Sequence, residues 1–285
     1  MRKGILGIFL ASIVLSNFAF HLRLEAAGIN TNVALPVPKG RFILRTQTRY
    51  TRMTSDPSGT GRRLHLLEIP NVLVFGATAR MALFSILPVL YRDLNITTPR
   101  RTAGLGDLAF LMRYEIYKRD WVLRTLRIAL FGGLEVPSGD SPFSSGSVDV
   151  PLGFVATFQS HRQEVDLDLS YKMNTEGSGV DHGDDFIYNV AYQLRVFPWY
   201  LPEEGVPNQL NTVLELNGRF TQRDEAAGLS LANTGGNILF LSPGLQYVMK
   251  RVILETSFQY PVAKDLNEAQ LESTWAVNGG IRMQF

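Results

Sequence analysis

The chain contains no cysteine. Disulfide frameworks and thiolate metal centres are therefore excluded. Beyond its first 27 residues it also lacks any apolar run of the about 18 residues that a membrane-spanning helix requires. An excess of one charge is missing too. The 28 Lys and Arg face 26 Asp and Glu; residues 1–27 hold three of the former and one of the latter, so 25 of each remain. A balanced chain gives nucleic acid no basic surface to bind. Histidine is scarce, with four in all. No two stand at metal-binding spacing, and H-E-x-x-H does not occur. Asp181-His-Gly-Asp-Asp185 reads as a solvated loop, with at most a weak hold on a divalent cation. No G-x-S-x-G elbow marks a hydrolase. Gly104-Leu-Gly-Asp107 lacks the third glycine and the strand-turn-helix setting of a nucleotide loop. The expectation is a protein without catalytic residues, metal or cofactor.

What is present starts with a leader. Arg2 and Lys3 form a positive end, Ile5 to Phe20 is mostly apolar, and Ala26-Ala27 offers small residues for cleavage, with Ala19 as a rival site. Residues 1–27 are thus expected to be a secretory signal. Residues 28–40 are expected to be a periplasmic amino-terminal segment, and 41–285 a single barrel.

The dominant period after residue 40 is two. Twelve segments show it, at 41–52, 64–75, 78–90, 105–117, 123–136, 147–158, 164–173, 185–197, 211–222, 237–248, 251–261 and 275–285. Each is near the roughly 9–11 residues of a tilted membrane strand. In the seventh, Val165, Leu167, Leu169 and Tyr171 oppose Glu164, Asp166, Asp168 and Lys172. The connections alternate long and short: 53–63, 91–104, 137–146, 174–184, 223–236 and 262–274 are long, whereas Gly76-Ala77 and Met249-Lys250 are short. Outer-membrane barrels place long loops outside and short turns in the periplasm. The 198–210 connection breaks this rhythm, being long where a periplasmic turn is due. The fold class expected is an all-β antiparallel transmembrane barrel of about 12 strands, in the outer membrane of a Gram-negative bacterium. Only helices and closed barrels satisfy every backbone polar group in lipid.

The last strand places Trp275, Val277, Gly279, Ile281, Met283 and Phe285 on one face. Finishing on an aromatic residue, it resembles the closing strand of outer-membrane barrels. That likeness makes Trp275, Ile281, Met283 and Phe285 candidates for the signal read by the barrel assembly machinery.

Parity aims a set of charged residues inward. They are Arg45, Arg49, Arg113, Glu115, Arg127, Glu135, Asp149, Asp166, Asp168, Arg195, Glu215, Arg219, Glu255 and Arg282. They either pair into a network that fills the barrel or line a path for solute. Near-equal numbers of the two signs argue against strong ion selectivity. Phe143, Leu229, Leu231 and Leu271 in the long loops offer an apolar access surface or simply pack the loops.

Several phrases together resemble the outer-membrane transporter family associated with the meta-pathway of phenol degradation. They are Pro70–Pro88, Gly104-Leu-Gly-Asp-Leu108, Gly133–Asp140, Leu241-Ser-Pro-Gly-Leu-Gln-Tyr247 and Phe258–Asn267, together with the closing strand. The resemblance covers about residues 40–285. It implies a barrel that passes hydrophobic, often aromatic, compounds inward without covalent chemistry. Gly104, Leu105, Gly106 and Asp107 are its turn mark, with a structural role; the Pro198–Pro207 stretch has no match in the family pattern. Partners expected are outer-membrane lipid and lipopolysaccharide, the assembly machinery and a small hydrophobic solute. Three alternatives stay open: a structural barrel with a sealed, salt-bridged lumen, a loop-mediated receptor or adhesin, and a lipid-modifying enzyme using His65 or His161.

Overall fold

Period two becomes strand from Phe42 onward, and no helix forms among the described residues. The computed structural model describes residues 28–95, 99–177, 179–202 and 207–285. The expected signal peptide lies outside them.

The strands in chain order are β1 (Phe42–Ser55), β2 (Arg63–Gly76), β3 (Met81–Asn95), β4 (Pro99–Leu105), β5 (Leu108–Trp121), β6 (Arg124–Val136), β7 (Val150–Ser160), β8 (Gln163–Met173), β9 (Glu176–Gly177), β10 (Val180–Asp181), β11 (Asp185–Phe197), β12 (Gln209–Thr221), β13 (Glu225–Ala226), β14 (Leu229–Ser230), β15 (Gly236–Val248), β16 (Val252–Leu266) and β17 (Glu272–Gln284). β1 pairs with β2 on one side and β17 on the other, and the other long strands join them antiparallel in chain order. The sheet closes on itself, which removes the edges that lipid could not satisfy. β3 pairs with β5 through Met81–Ile86 and with β4 through Val89–Asn95. β4 and β5 are therefore two pieces of one wall strand, bent at Gly106-Asp107. Counted as one, they make the twelve-stranded barrel expected from the sequence.

Burial is inverted relative to a water-soluble protein. Asp166 and Glu215 are wholly buried, while Phe110 leaves 51% of its surface exposed and Met112 49%. Outward apolar side chains recur on strand after strand, as on Leu130, Leu134, Leu214, Leu216, Leu245 and Leu254. This is the face a hydrocarbon solvent calls for. On that face Trp275 meets the rings of Tyr50 and Phe258 at 5.6 and 6.2 Å.

Four segments depart from or add to the expectations. Residues 91–104, expected as a loop, are largely strand: the β3–β4 hairpin pairs Asn95 with Pro99 and continues down to Val89 with Leu105. Its residues Arg92, Asp93, Arg100, Arg101 and Thr102 are polar on both faces, so alternation is absent while pairing persists. Loops 174–184 and 223–236 contribute β9, β10, β13 and β14, which join in a separate four-stranded sheet. In the long 198–210 connection, Trp199 lies under the Arg162 guanidinium at 3.4 Å, a cation–π contact that ties it to the β7–β8 turn. Its residues 203–206 lie outside the described part.

The largest difference is residues 28–40. Expected in the periplasm, this segment instead enters the barrel at Pro38 and runs inside it to Gly28. Ile29, Ala34 and Val37 are buried there, at 1, 1 and 4% exposure.

Candidate functional site

A strand-free peptide inside a barrel must find partners for its backbone N–H and C=O groups. The charged inward residues supply them, and they do so by sign. The amides of Asn30 and Thr31 donate to the Glu215 carboxylate at 3.0 and 3.2 Å. The Asn32 amide donates to Asp168 at 3.2 Å, and that of Ala34 to Thr157 Oγ1 at 2.9 Å. Thr157 passes its own hydroxyl proton toward Asp166 at 2.6 Å. The carbonyls go to cations and amides on the opposite side. Arg282 donates to Gly28 O at 2.6 Å, and Arg45 and Gln47 both donate to Ile29 O. Arg113 donates to Val33 O and Leu35 O, each at 2.6 Å. Eight backbone groups between Gly28 and Leu35 are thus satisfied by wall side chains. Each would cost about 1–3 kcal/mol if buried unpaired. Acidic residues from β8 and β12 take three of the four N–H groups, and Thr157 of β7 takes the fourth; basic ones from β1, β5 and β17 take the C=O groups.

Two glycines make room for this strap. A Cβ on Gly76 would sit 2.3 Å from Pro38 O, and one on Gly244 would sit 2.5 Å from Ile29 Cδ1. Both positions need the missing side chain where the peptide passes close to the wall.

Around the strap the lumen has two unlike walls. On β8, β11, β12, β15, β16 and β17 most inward side chains are polar and buried, among them Asp168, Asn189, Glu215, Asn217, Ser242, Gln246, Glu255 and Asn278, with Ala191, Val213, Val248 and Ile253 between them. Glu255 is clasped between Arg45 at 2.8 Å and Arg282 at 2.7 Å. On β2, β3, β5 and β6 the inward face carries an apolar stretch, bordered by the charged Glu68, Arg113, Glu115, Arg127 and Glu135. Between this second wall and the strap lies a cavity of about 520 Å³, lined by Val72, Val74, Phe84, Ile86, Leu111 and Phe131 with Leu35 and Val37 of the strap. Register carries the same face upward through Pro70, paired with Pro88, to Leu90 and Leu66, whose partners across the β2–β3 ladder are the charged Glu68 and Arg92.

At the long-loop end a folded loop packs on the β4–β5 bend. Asp107, at the β4–β5 bend, accepts the amides of Gly139 and Ser145, both at 2.8 Å. Asp140 in turn accepts the Leu105 amide at 2.8 Å. These bonds hold residues 137–149 across the bend and seat Phe143 beneath the Arg92 guanidinium, 5.5 Å from it.

Neither a family model nor a curated protein sequence matches the chain. Solved structures do. The COG4313 outer membrane channel from Pseudomonas putida F1 superposes with a TM-score of 0.70 at 13% identity, over 92% of this chain and 100% of that one. The fold is that of an outer-membrane barrel. The NanC porin (TM-score 0.43, 11% identity, 85% of this chain and 98% of that one) and the CymD monoaromatic hydrocarbon channel (TM-score 0.42, 10% identity, 87% and 89%) are more distant, at a level that carries no argument.

Within that barrel the inward charged residues fall into groups. Arg45, Arg113, Asp166, Asp168, Glu215, Glu255 and Arg282 gather around the strap, directly or through one neighbour. Glu115 and Arg127 pair with each other at 2.6 Å, and Arg49 reaches Asn278 at 3.1 Å and Glu68 at 3.7 Å. Glu135 and Asp149 share Lys172 toward the long loops, at 2.8 and 3.1 Å. Arg195 bonds Pro198 O at 3.2 Å at the short-turn end, and Arg219 stands exposed near the other end of β12. Gly104 and Gly106 sit at the bend, the latter donating to Pro88 O at 2.9 Å, and Leu105 is exposed. Of the closing-strand set, the Phe285 amide donates to Phe42 O at 2.9 Å, and Ile281 and Met283 lie on the outer face with Trp275. The histidines stay apart: His65 meets the Tyr50 hydroxyl at 2.6 Å on the outer face, His161 is in a turn, and His182 lies 3.5 Å from Asp224. No three metal-ligating side chains converge among the described residues.

The apolar wall escaped the sequence reading, which saw the lumen only as charged. Its signal was present. Ile69–Phe75 and Met81–Leu90 are close to unbroken apolar runs, which is what a strand apolar on both faces produces.

Proposed function

We propose that this protein is a passive outer-membrane channel for small hydrophobic compounds, aromatic ones among them, as the resemblance to the phenol meta-pathway family implies. The observation that carries this reading is the apolar wall. A lumen for sugars or ions has no use for Val72, Val74, Phe84, Ile86, Leu111 and Phe131 turned toward its cavity, because exposing them to a water column forfeits roughly 25 cal/mol per Å². A solute that is itself apolar recovers that term. The polar wall and strap narrow the remaining cross-section, so passage runs along one side of the barrel. No covalent step or cofactor is called for. The assembly machinery would read the closing strand, and lipid with lipopolysaccharide would cover the outer face. The strap also favours a second reading, a sealed barrel, and one assay separates the two.

That assay is uptake of labelled toluene at limiting concentration into cells with and without the gene, with xylose as the hydrophilic control. Deletion should lower toluene uptake selectively. Phe84→Asp with Val72→Asp should reproduce the loss in a barrel that still assembles, by about tenfold if a buried charge raises the barrier by about 1.4 kcal/mol. Equal toluene uptake in all strains would establish the sealed barrel as the better account.

A further inference from the structure

The cavity has a charge asymmetry that the lumen as a whole lacks. Lys39, Arg45, Arg113 and Arg282 line it, and no Asp or Glu does among its described residues. Arg45 and Arg282 lean on Glu255. Arg113 has no such partner. Its neighbour Glu115 acts on it only at longer range and is engaged by Arg127 at 2.6 Å, and the hydrogen bonds of Arg113 go to the carbonyls of Val33 and Leu35. A guanidinium has five N–H donors, of which two are used here. Its plane lies 5.0 Å over the Phe84 ring. A cation held by carbonyl dipoles in an apolar setting keeps most of its desolvation cost, and an anion brought to it offsets that cost. A carboxylate does so with two parallel hydrogen bonds. The volume of about 520 Å³ suits a small molecule.

We propose that this cavity binds arylcarboxylates of about benzoate size, with the carboxylate on Arg113 and the ring against Phe84, Ile86 and Leu111. The proposal rests on the reading of the barrel as a passage for hydrophobic solutes and narrows it, at this site, to anionic ones. Lys39 at the short-turn end of the same cavity adds a second positive charge on the way.

The test is calorimetric titration of the purified barrel in a neutral detergent with sodium benzoate and with benzamide, its uncharged analogue of the same shape. At pH 7.5 and low salt, benzoate should bind at least about tenfold more tightly, and the preference should shrink as salt is raised. Arg113→Gln keeps an N–H donor for the strap carbonyls. It should remove the benzoate preference, so that benzoate and benzamide bind the variant with equal affinity. Equal affinity of the two ligands for the unaltered protein overturns the proposal, and that comparison needs no variant to fold. A preference lost in Lys39→Gln but retained in Arg113→Gln overturns the assignment to Arg113. Toluene uptake, measured on the same protein, separates the two readings: uptake without a benzoate preference defeats only this proposal, and a benzoate preference without uptake defeats only the channel.

Discussion

Glu255 shows what one residue is asked to do in this lumen. Its side chain is wholly inaccessible, and it faces Arg45 and Arg282, themselves 21 and 9% exposed. Gln47 and Gln246 add bonds at 2.9 and 3.3 Å. Two cations on one anion are tolerable only while the anion is there. Glu255→Gln should therefore destabilise the barrel by about 3–5 kcal/mol, the cost of stranding buried charge. The combined change Arg45→Met, Glu255→Leu, Arg282→Met should cost far less, since an apolar group of similar volume replaces the whole cluster. Thermal unfolding in detergent, followed by the mobility shift of unheated barrel, measures both. A single substitution as mild as the triple one would mean that water already reaches this cluster. Parity alone placed these three residues inward from the sequence. It could not show that Arg45 and Arg282 also hold Ile29 O and Gly28 O, because residues 28–40 pair with no strand and Arg282 lies 254 positions from the carbonyl it holds.

At the scale of elements, the β4–β5 bend is the point where the wall and a long loop are coupled. Asp107, nearly buried at 6% exposure, gathers the amides of Gly139 and Ser145 and the Ser145 hydroxyl. Asp107→Ala should leave two amides without an acceptor, at about 1–3 kcal/mol each. The cost falls on the loop, not on the barrel. Hydrogen exchange at Gly139 and Ser145 should quicken, while the unfolding temperature of the barrel stays put; a fall in that temperature instead would make the bend a part of the barrel's own stability. Much of this architecture could be read in advance. Strand after strand announced itself by alternation, and Gly104–Asp107 stood out as a turn. The β3–β4 hairpin did not, because Arg92, Asp93, Arg100 and Arg101 put charge on both faces of a ladder that needs only backbone to form. The apolar lumen wall was hidden for the converse reason: β2 and β3 are apolar on both faces, and a run without period gives no inward side.

For the whole molecule, the question is how much of the cross-section remains for solute. Eight strands close around their own side chains and sixteen or more leave a water channel. A barrel of twelve lies between, and here the strap takes up the difference. It contacts β1, β2, β5, β7, β8, β12 and β17 in a single pass, so it spans the lumen instead of lining one side. The open volume is left beside β2 and β3. Deleting residues 28–36 should then widen the pore without touching the apolar wall. Conductance in planar bilayers should rise several-fold, and xylose, excluded before, should enter liposomes carrying the shortened protein. Toluene passage should persist, since Val72, Phe84 and Leu111 stay in place. The barrel should also lose stability, though by less than the eight backbone groups suggest, because water enters to hydrate Glu215, Asp168 and Arg113 once the strap is gone. If the shortened protein conducts like the full one, the strap is not the constriction. The limit would then lie at the long-loop end, where Phe143 and the loop held by Asp107 fold inward, and opening that loop with Asp107→Ala would raise conductance in its place.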